Sequence, residues 1–242
     1  MDKSISPISF TATFVLFGIP AIFFMLVAYG AIPYFTQTLK IHPAMAWFFG
    51  GMIVFIPLFI ASILLVLRDG FRTWNDVFDR LRIHSMTKRD WKYVGGSFLV
   101  ISIVSAIIMG IAELLHTHFG FPPMEKFPPF MKFEPFDASQ RWMLIVWVMM
   151  FFFNIVGEEL LWRGYILPRQ EAAVQHRAWI INAALWMMFH LCFGLSLMIV
   201  LLPIMIVLPY AVQETKNTLV GMLIHALLNG PSFIIISLGI LQ

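Results

Sequence analysis

From Ala178 to Val212 the chain runs for 35 residues without one Asp, Glu, Lys or Arg. A helix needs about 20 apolar residues to cross the hydrocarbon core of a bilayer. This run is therefore too long for one passage and just long enough for two, with a tight turn near Gly194 to Ser196. Lipid offers no partner to a backbone N–H or C=O, so every such group must be satisfied within the protein, and runs of this length do that as helices. Comparable runs recur at Ile8 to Phe35, Ala44 to Leu67, Tyr93 to Leu115, Arg141 to Trp162 and Thr218 to Leu241. Together they predict an all-α polytopic bundle of about seven spans, with residues 1–242 as a single transmembrane domain. The balance of 60% hydrophobic against 12% charged residues agrees, since a soluble domain carries roughly 25% charged residues.

Charge is concentrated in three connections. Arg68 to Lys92 holds Arg68, Arg72, Arg80, Arg82, Lys88, Arg89 and Lys92; the second holds Arg163, Arg169 and Arg177; the third holds Glu214 and Lys216. Seven spans starting from a cytoplasmic N-terminus put all three on the cytoplasmic side, as the positive-inside rule requires. The net charge of +3 thus belongs to membrane orientation, and no nucleic-acid partner is implied. Within the first connection Phe71, Trp74, Val77, Phe78 and Leu81 recur at helical spacing, which predicts a short amphipathic helix at the membrane surface. The connection from His116 to Gln140 is rich in paired prolines and in Phe119, Phe127, Phe130, Phe133 and Phe136. It cannot be a continuous helix and reads as an interfacial plug. The single cysteine, Cys192, excludes an internal disulfide and a cysteine-based metal site.

The charges that remain inside the spans carry the chemistry, because ionisable residues in a bilayer are functional by default. Glu158, Glu159 and Arg163 stand at the exit of the fourth span, His190 in the fifth, and His225 with Asn229 in the seventh. On a helix Glu159 and Arg163 share a face while Glu158 points about 100° away. The arginine can then neutralise Glu159 and leave Glu158 free. A carboxylate and an imidazole can draw a proton from a water that attacks a carbonyl, and a second imidazole with a carboxamide can donate to the resulting oxyanion. Glu158, His190 and His225 could alternatively hold zinc, but no His-Glu-x-x-His pair is present. No cofactor is expected.

Glu158-Glu159-Leu-Leu-Trp-Arg163, then Trp186 with His190 four residues on, then His225 with Asn229 four residues on, resembles the three signatures of the CAAX-processing and bacteriocin-processing (CPBP, or Abi) membrane proteases. These are Glu-Glu-x-x-x-Arg, Phe-x-x-x-His and His-x-x-x-Asn, and the family includes the type II CAAX prenyl endopeptidase. The resemblance implies an intramembrane endopeptidase of up to eight helices, with its catalytic core at 141–242 and its cavity opening to the cytosol. It implies that Glu158 and His190 activate water and that His225 and Asn229 bind the oxyanion. Glu159 and Arg163 would support the site. Trp186, in place of the usual phenylalanine, would keep an aromatic wall against the substrate. The expected partners are the lipid bilayer and a hydrophobic or lipid-modified peptide, and the expected location is a bacterial plasma membrane, with the endoplasmic reticulum as the alternative. The alternatives are a non-catalytic immunity or scaffolding protein of the same family, and a transporter, against which no internal repeat is found.

Overall fold

A computed structural model describes residues 5–125, 127–131 and 134–240, so Phe133 of the aromatic connection lies outside the described residues. Their regular structure is helical throughout: α1 (Phe10–Leu26), α2 (Ile32–Gln37), α3 (Pro43–Arg68), α4 (Trp74–Arg80), α5 (Lys88–Phe119), α6 (Met143–Glu159), α7 (Leu167–Val174), α8 (Ala178–Phe189), α9 (Leu195–Thr215) and α10 (Thr218–Ser237). Among the described residues six helical stretches are long and apolar enough to cross a membrane. One of these, Met143–Phe189, is 47 residues long. It turns at Gln175, where φ is 55°, into α8, whose 12 residues rise only about 18 Å, so six long stretches stand where the sequence reading has about seven spans. A 3-10 turn at Leu191–Phe193 and Gly194 at φ 86° complete the connection to α9, close to the expected turn.

The three basic connections meet at one end of the bundle. Arg82 forms a two-pronged pair with Glu171 at 2.9 Å, Lys216 reaches the same carboxylate at 2.7 Å, and the Ile8 amide donates to Arg169 O. At the other end the Phe136 amide donates to Ser237 O, and Phe130 packs against Phe24, Tyr29 and Phe193.

Several boundaries differ from the sequence reading. Helix α5 starts at Lys88 rather than Tyr93 because Thr87 and Asp90 form a capping box. Helix α10 runs through Gly230 and Pro231, where the sequence suggests a break. The fourth span does not stop at Trp162; it continues through a π-helical segment, Leu160–Ile166, into α7. A second π segment, Val27–Ala31, joins α1 to α2. Each precedes a proline, Pro33 or Pro168, whose ring would crowd the carbonyl four residues back, that of Tyr29 or Gly164. A wider turn at that point relieves the crowding.

The amphipathic helix forms as predicted. Trp74 and Phe78 face outward while Val77 and Leu81 are buried. It does more than lie on the surface, because buried Arg80 donates to Gly164 O at 3.2 Å and Tyr165 O at 3.3 Å. Those carbonyls belong to the π segment that Pro168 disturbs. Burial pulls the Arg80 pKa down to about 10 against the opposing pull of Asp69, so the guanidinium keeps its charge at neutral pH.

Helices α3 and α6 cross at Gly157. A Cβ there would stand 2.8 Å from Phe55 O and 3.2 Å from Phe59 N, both backbone atoms of α3. Gly157→Ala is expected to lower stability by about 1–3 kcal/mol, the usual range for overpacking. Gly96→Ala, which meets nothing within 4 Å, is expected to be near neutral. Thermal unfolding of the two variants in detergent checks the contrast.

Candidate active site

The two glutamates at the end of α6 leave the helix in different directions, and each meets its own partners. Glu158 and Glu159 are both fully buried. Asn154, one turn earlier, donates from Nδ2 to Glu158 Oε1 at 2.7 Å. The indole N–H of Trp186 on α8 donates to Glu158 Oε2 at 2.7 Å. Glu159 turns toward α10, where His225 Nδ1 lies 3.0 Å from Oε1. Arg163 Nε lies 3.5 Å from Oε2 of the same carboxylate. The arginine is fully buried and its guanidinium carbon sits 3.7 Å from the centre of the Trp186 ring. The expected division, Arg163 on Glu159 and Glu158 apart, is what the geometry has. Glu158 is not free, however, since each of its oxygens accepts a hydrogen bond.

Trp186 stands at the middle of the cluster. Its ring meets His190 edge-on at 5.4 Å and His225 edge-on at 5.5 Å. His190 Nδ1 lies 3.0 Å from Trp186 O. A carbonyl only accepts, so Nδ1 carries the proton there and Nε2 of the neutral ring is the basic nitrogen. Reading Trp186 as a wall alone missed its N–H, which phenylalanine lacks. Asn154 was also missed as a site residue. The signal was its position four residues before Glu158 in a run without other charges, a spacing at which side chains meet.

A cavity of about 410 Å³ lies against this cluster, with Glu158, His190, His225 and Asn229 all in its wall. Asn154 and Trp186 line it as well, while Glu159 and Arg163 stand behind. The rest of the wall is aromatic and aliphatic, from Phe55, Trp147 and Met205 up to Phe127, Pro128 and Met131 of the connection between α5 and α6. That connection therefore covers the apolar end of the cavity. Below Glu158 the bundle is filled by Leu81, Trp162, Arg163 and Ile166, each at most 1% exposed. The described walls run from Glu158 toward the connection between α5 and α6, and α4 and the π segment pack on the basic side of Glu158. Among the described residues no three His, Cys, Asp or Glu side chains form a metal-ligating cluster.

Residues 140–230 match the model of a family described as type II CAAX prenyl endopeptidase Rce1-like. This part of the chain is similar to that family. The match starts just before α6 and ends one residue beyond Asn229, so it takes in Asn154, Glu158, Glu159, Arg163, Trp186, His190, His225 and Asn229. The matched segment is similar to a protease family and contains the three motifs on which the resemblance was drawn. No curated protein and no solved structure matches the chain.

Within the Rce1-like segment the packing of Glu159 depends on Gly221, one turn before His225. A Cβ at Gly221 would come within 2.8 Å of Val212 Cγ2 and still closer to Glu159 Oε2. Gly221→Ala is expected to push the carboxylate off His225. Magnetic resonance of nitrogen-labelled histidine should show the His225 ring signals moving while those of His42, remote at the other end of the bundle, stay in place.

Proposed function

We propose that the protein is an intramembrane endopeptidase that cleaves a membrane-associated peptide with a hydrophobic or lipid-modified part, by water activated between a carboxylate and an imidazole. The observation that carries this reading is the meeting of Glu158, His190, His225 and Asn229, from three separate passages, in the wall of one cavity. In this scheme Glu158 and His190 Nε2 take a proton from water, and the resulting hydroxide adds to the scissile carbonyl carbon. The charge that develops on the carbonyl oxygen is received by the Asn229 amide and by His225. His225 acts as an imidazolium: its Nδ1 proton is committed to Glu159, and its Nε2 proton is the one available to the oxyanion. Collapse of the adduct breaks the C–N bond and passes the proton to the leaving amine. Glu159 and Arg163 hold His225 and Trp186 in place, and Trp186 also supplies apolar wall. No metal is required in this scheme, in which the carboxylate and imidazole suffice.

The protein would sit in a bacterial plasma membrane with its N-terminus and basic connections in the cytoplasm. With that orientation the cavity occupies the half of the membrane away from the cytoplasm. The apolar walls suit the anchored part of the substrate, and the polar floor suits its peptide bond.

Two experiments test this. Purified protein is expected to cleave a prenylated peptide or an unmodified hydrophobic peptide whether or not chelator is present. Glu158→Gln should reduce cleavage by at least about a thousandfold without loss of helical content, a magnitude typical of removing a central catalytic group. Full activity of Glu158→Gln would remove Glu158 from the activation of water, and a wild-type protein that cleaves neither peptide would remove the endopeptidase reading and leave a binding or immunity role. The second experiment reads sidedness. In vesicles whose basic connections face the lumen an anchored peptide added outside should be cleaved, and in vesicles of the opposite orientation it should not.

A further inference from the structure

We propose that Asn154 and Trp186 are positioning residues that clamp Glu158 from its two sides, an inference that deepens the endopeptidase reading and rests on it for its kinetic part. Glu158 is fully buried, and the nearest guanidinium, Arg163, is committed to Glu159 and to the Trp186 ring face. What Glu158 has instead is one N–H donor on each oxygen, both at 2.7 Å. The indole nitrogen can only donate, so the oxygen it meets must accept. Two donors on two oxygens fit a carboxylate rather than a carboxylic acid. At 2.7 Å both contacts fall among the short, charge-assisted hydrogen bonds.

The two clamps are independent in origin. Asn154 is on the same helix as Glu158, one turn away, and fixes the side-chain torsions of the glutamate relative to α6. Trp186 comes from α8, four residues before His190, and fixes the carboxylate relative to the imidazole that shares its work. The same indole is held flat by Arg163 on its face and by His190 and His225 on its edges. A rotation of Trp186 would therefore disturb both histidines at once. Proximity of reacting groups has to be held to a fraction of an ångström for efficient catalysis, and a glutamate has three rotatable bonds with which to lose it.

The ordinary alternative is that Asn154 only pairs within its helix and Trp186 only packs. Asn154→Leu keeps nearly the same volume and helix preference but removes the donor, and Trp186→Phe keeps an aromatic ring but removes the N–H. The first readout needs no substrate. The antisymmetric carboxylate stretch of Glu158 is isolated at neutral pH as the infrared difference between the wild-type protein and Glu158→Gln. It should shift in each variant, and further in the double variant. The second readout is cleavage of the unmodified hydrophobic peptide. Each single variant should lose roughly tenfold or more in kcat, the effect of one hydrogen bond to a charged group, with KM within about twofold.

An unshifted band in both variants, or the absence of any carboxylate band that Glu158→Gln removes, would overturn the clamp. So would wild-type kcat in both variants. If the wild-type protein cleaves no peptide, the endopeptidase reading fails, while the infrared result still decides whether Glu158 is held as a carboxylate by these two donors.

Discussion

Two carboxylates side by side in the chain and buried in an apolar bundle form the constraint around which the rest is arranged. A buried charge that loses its partner costs on the order of 3–5 kcal/mol, so each needs compensation. Helix geometry sends neighbours about 100° apart, so a single partner cannot serve both. Glu158 is met by Asn154 and by Trp186 of α8, and Glu159 by Arg163 and by His225 of α10. The consequence is registry. A slip of α8 or α10 by one turn would strand a carboxylate, and the same contacts that prevent this also bring His190 and His225 to the cavity. In this protein the stabilisation of the bundle and the assembly of the site are one set of contacts.

Close approach of backbones makes those contacts reachable. Association inside a membrane gains little from the hydrophobic effect between helices and relies on packing at small residues. Gly157 lets α3 lie against α6 immediately before Glu158, Gly164 lets Leu81 lie against the π segment immediately after Arg163, and Gly221 leaves the space that the Glu159 carboxylate fills. The three positions bracket the charged cluster. By contrast, Gly95, Gly96 and Gly110 on α5 face open space, in keeping with a helix that packs mainly on α9 and α10 and leaves most of its surface to lipid.

Much of this was legible in the sequence because the strongest signals are local. Runs free of charge gave the passages, and paired polar residues at a spacing of four, Glu159 with Arg163 and His225 with Asn229, gave the faces. The three basic connections could be assigned to one end from composition alone. What escaped depended on tertiary context. Pro33 and Pro168 are visible as helix disturbances, but not that a π segment would absorb each of them with the helix continuing. Gly230 and Pro231 read as a break, yet neighbouring helices support α10 through them. Which part of the bundle stays hollow is set by what fills the rest, Leu81, Trp162 and Ile166 on the basic side of Glu158, and no pattern in the chain announces a filled space. Trp186 was read by its ring, and its N–H mattered only once α8 was seen to lie beside Glu158.

The basic end of the bundle shows why a helix outside the spans belongs to the same arrangement. Pro168 has no N–H to give to the carbonyl of Gly164, and the π segment further loosens the hydrogen bonding around Tyr165. Water could satisfy such groups at a surface, but here α4 covers them and Arg80 supplies the donors. Arg80 in turn leans on Asp69 at 3.7 Å, which also takes Arg169 at 2.7 Å. The proline four residues beyond Gly164 thus creates a demand at that carbonyl, which Arg80, 84 positions before Gly164, fulfils. Meeting that demand seats Leu81 on Gly164, on the side of Glu158 that faces the basic connections. The polar floor at Glu158 is then bordered by the apolar wall of the cavity. A peptide bond brought there leaves its bulk solvent behind, and in such surroundings a fixed dipole or proton acceptor acts with the most force.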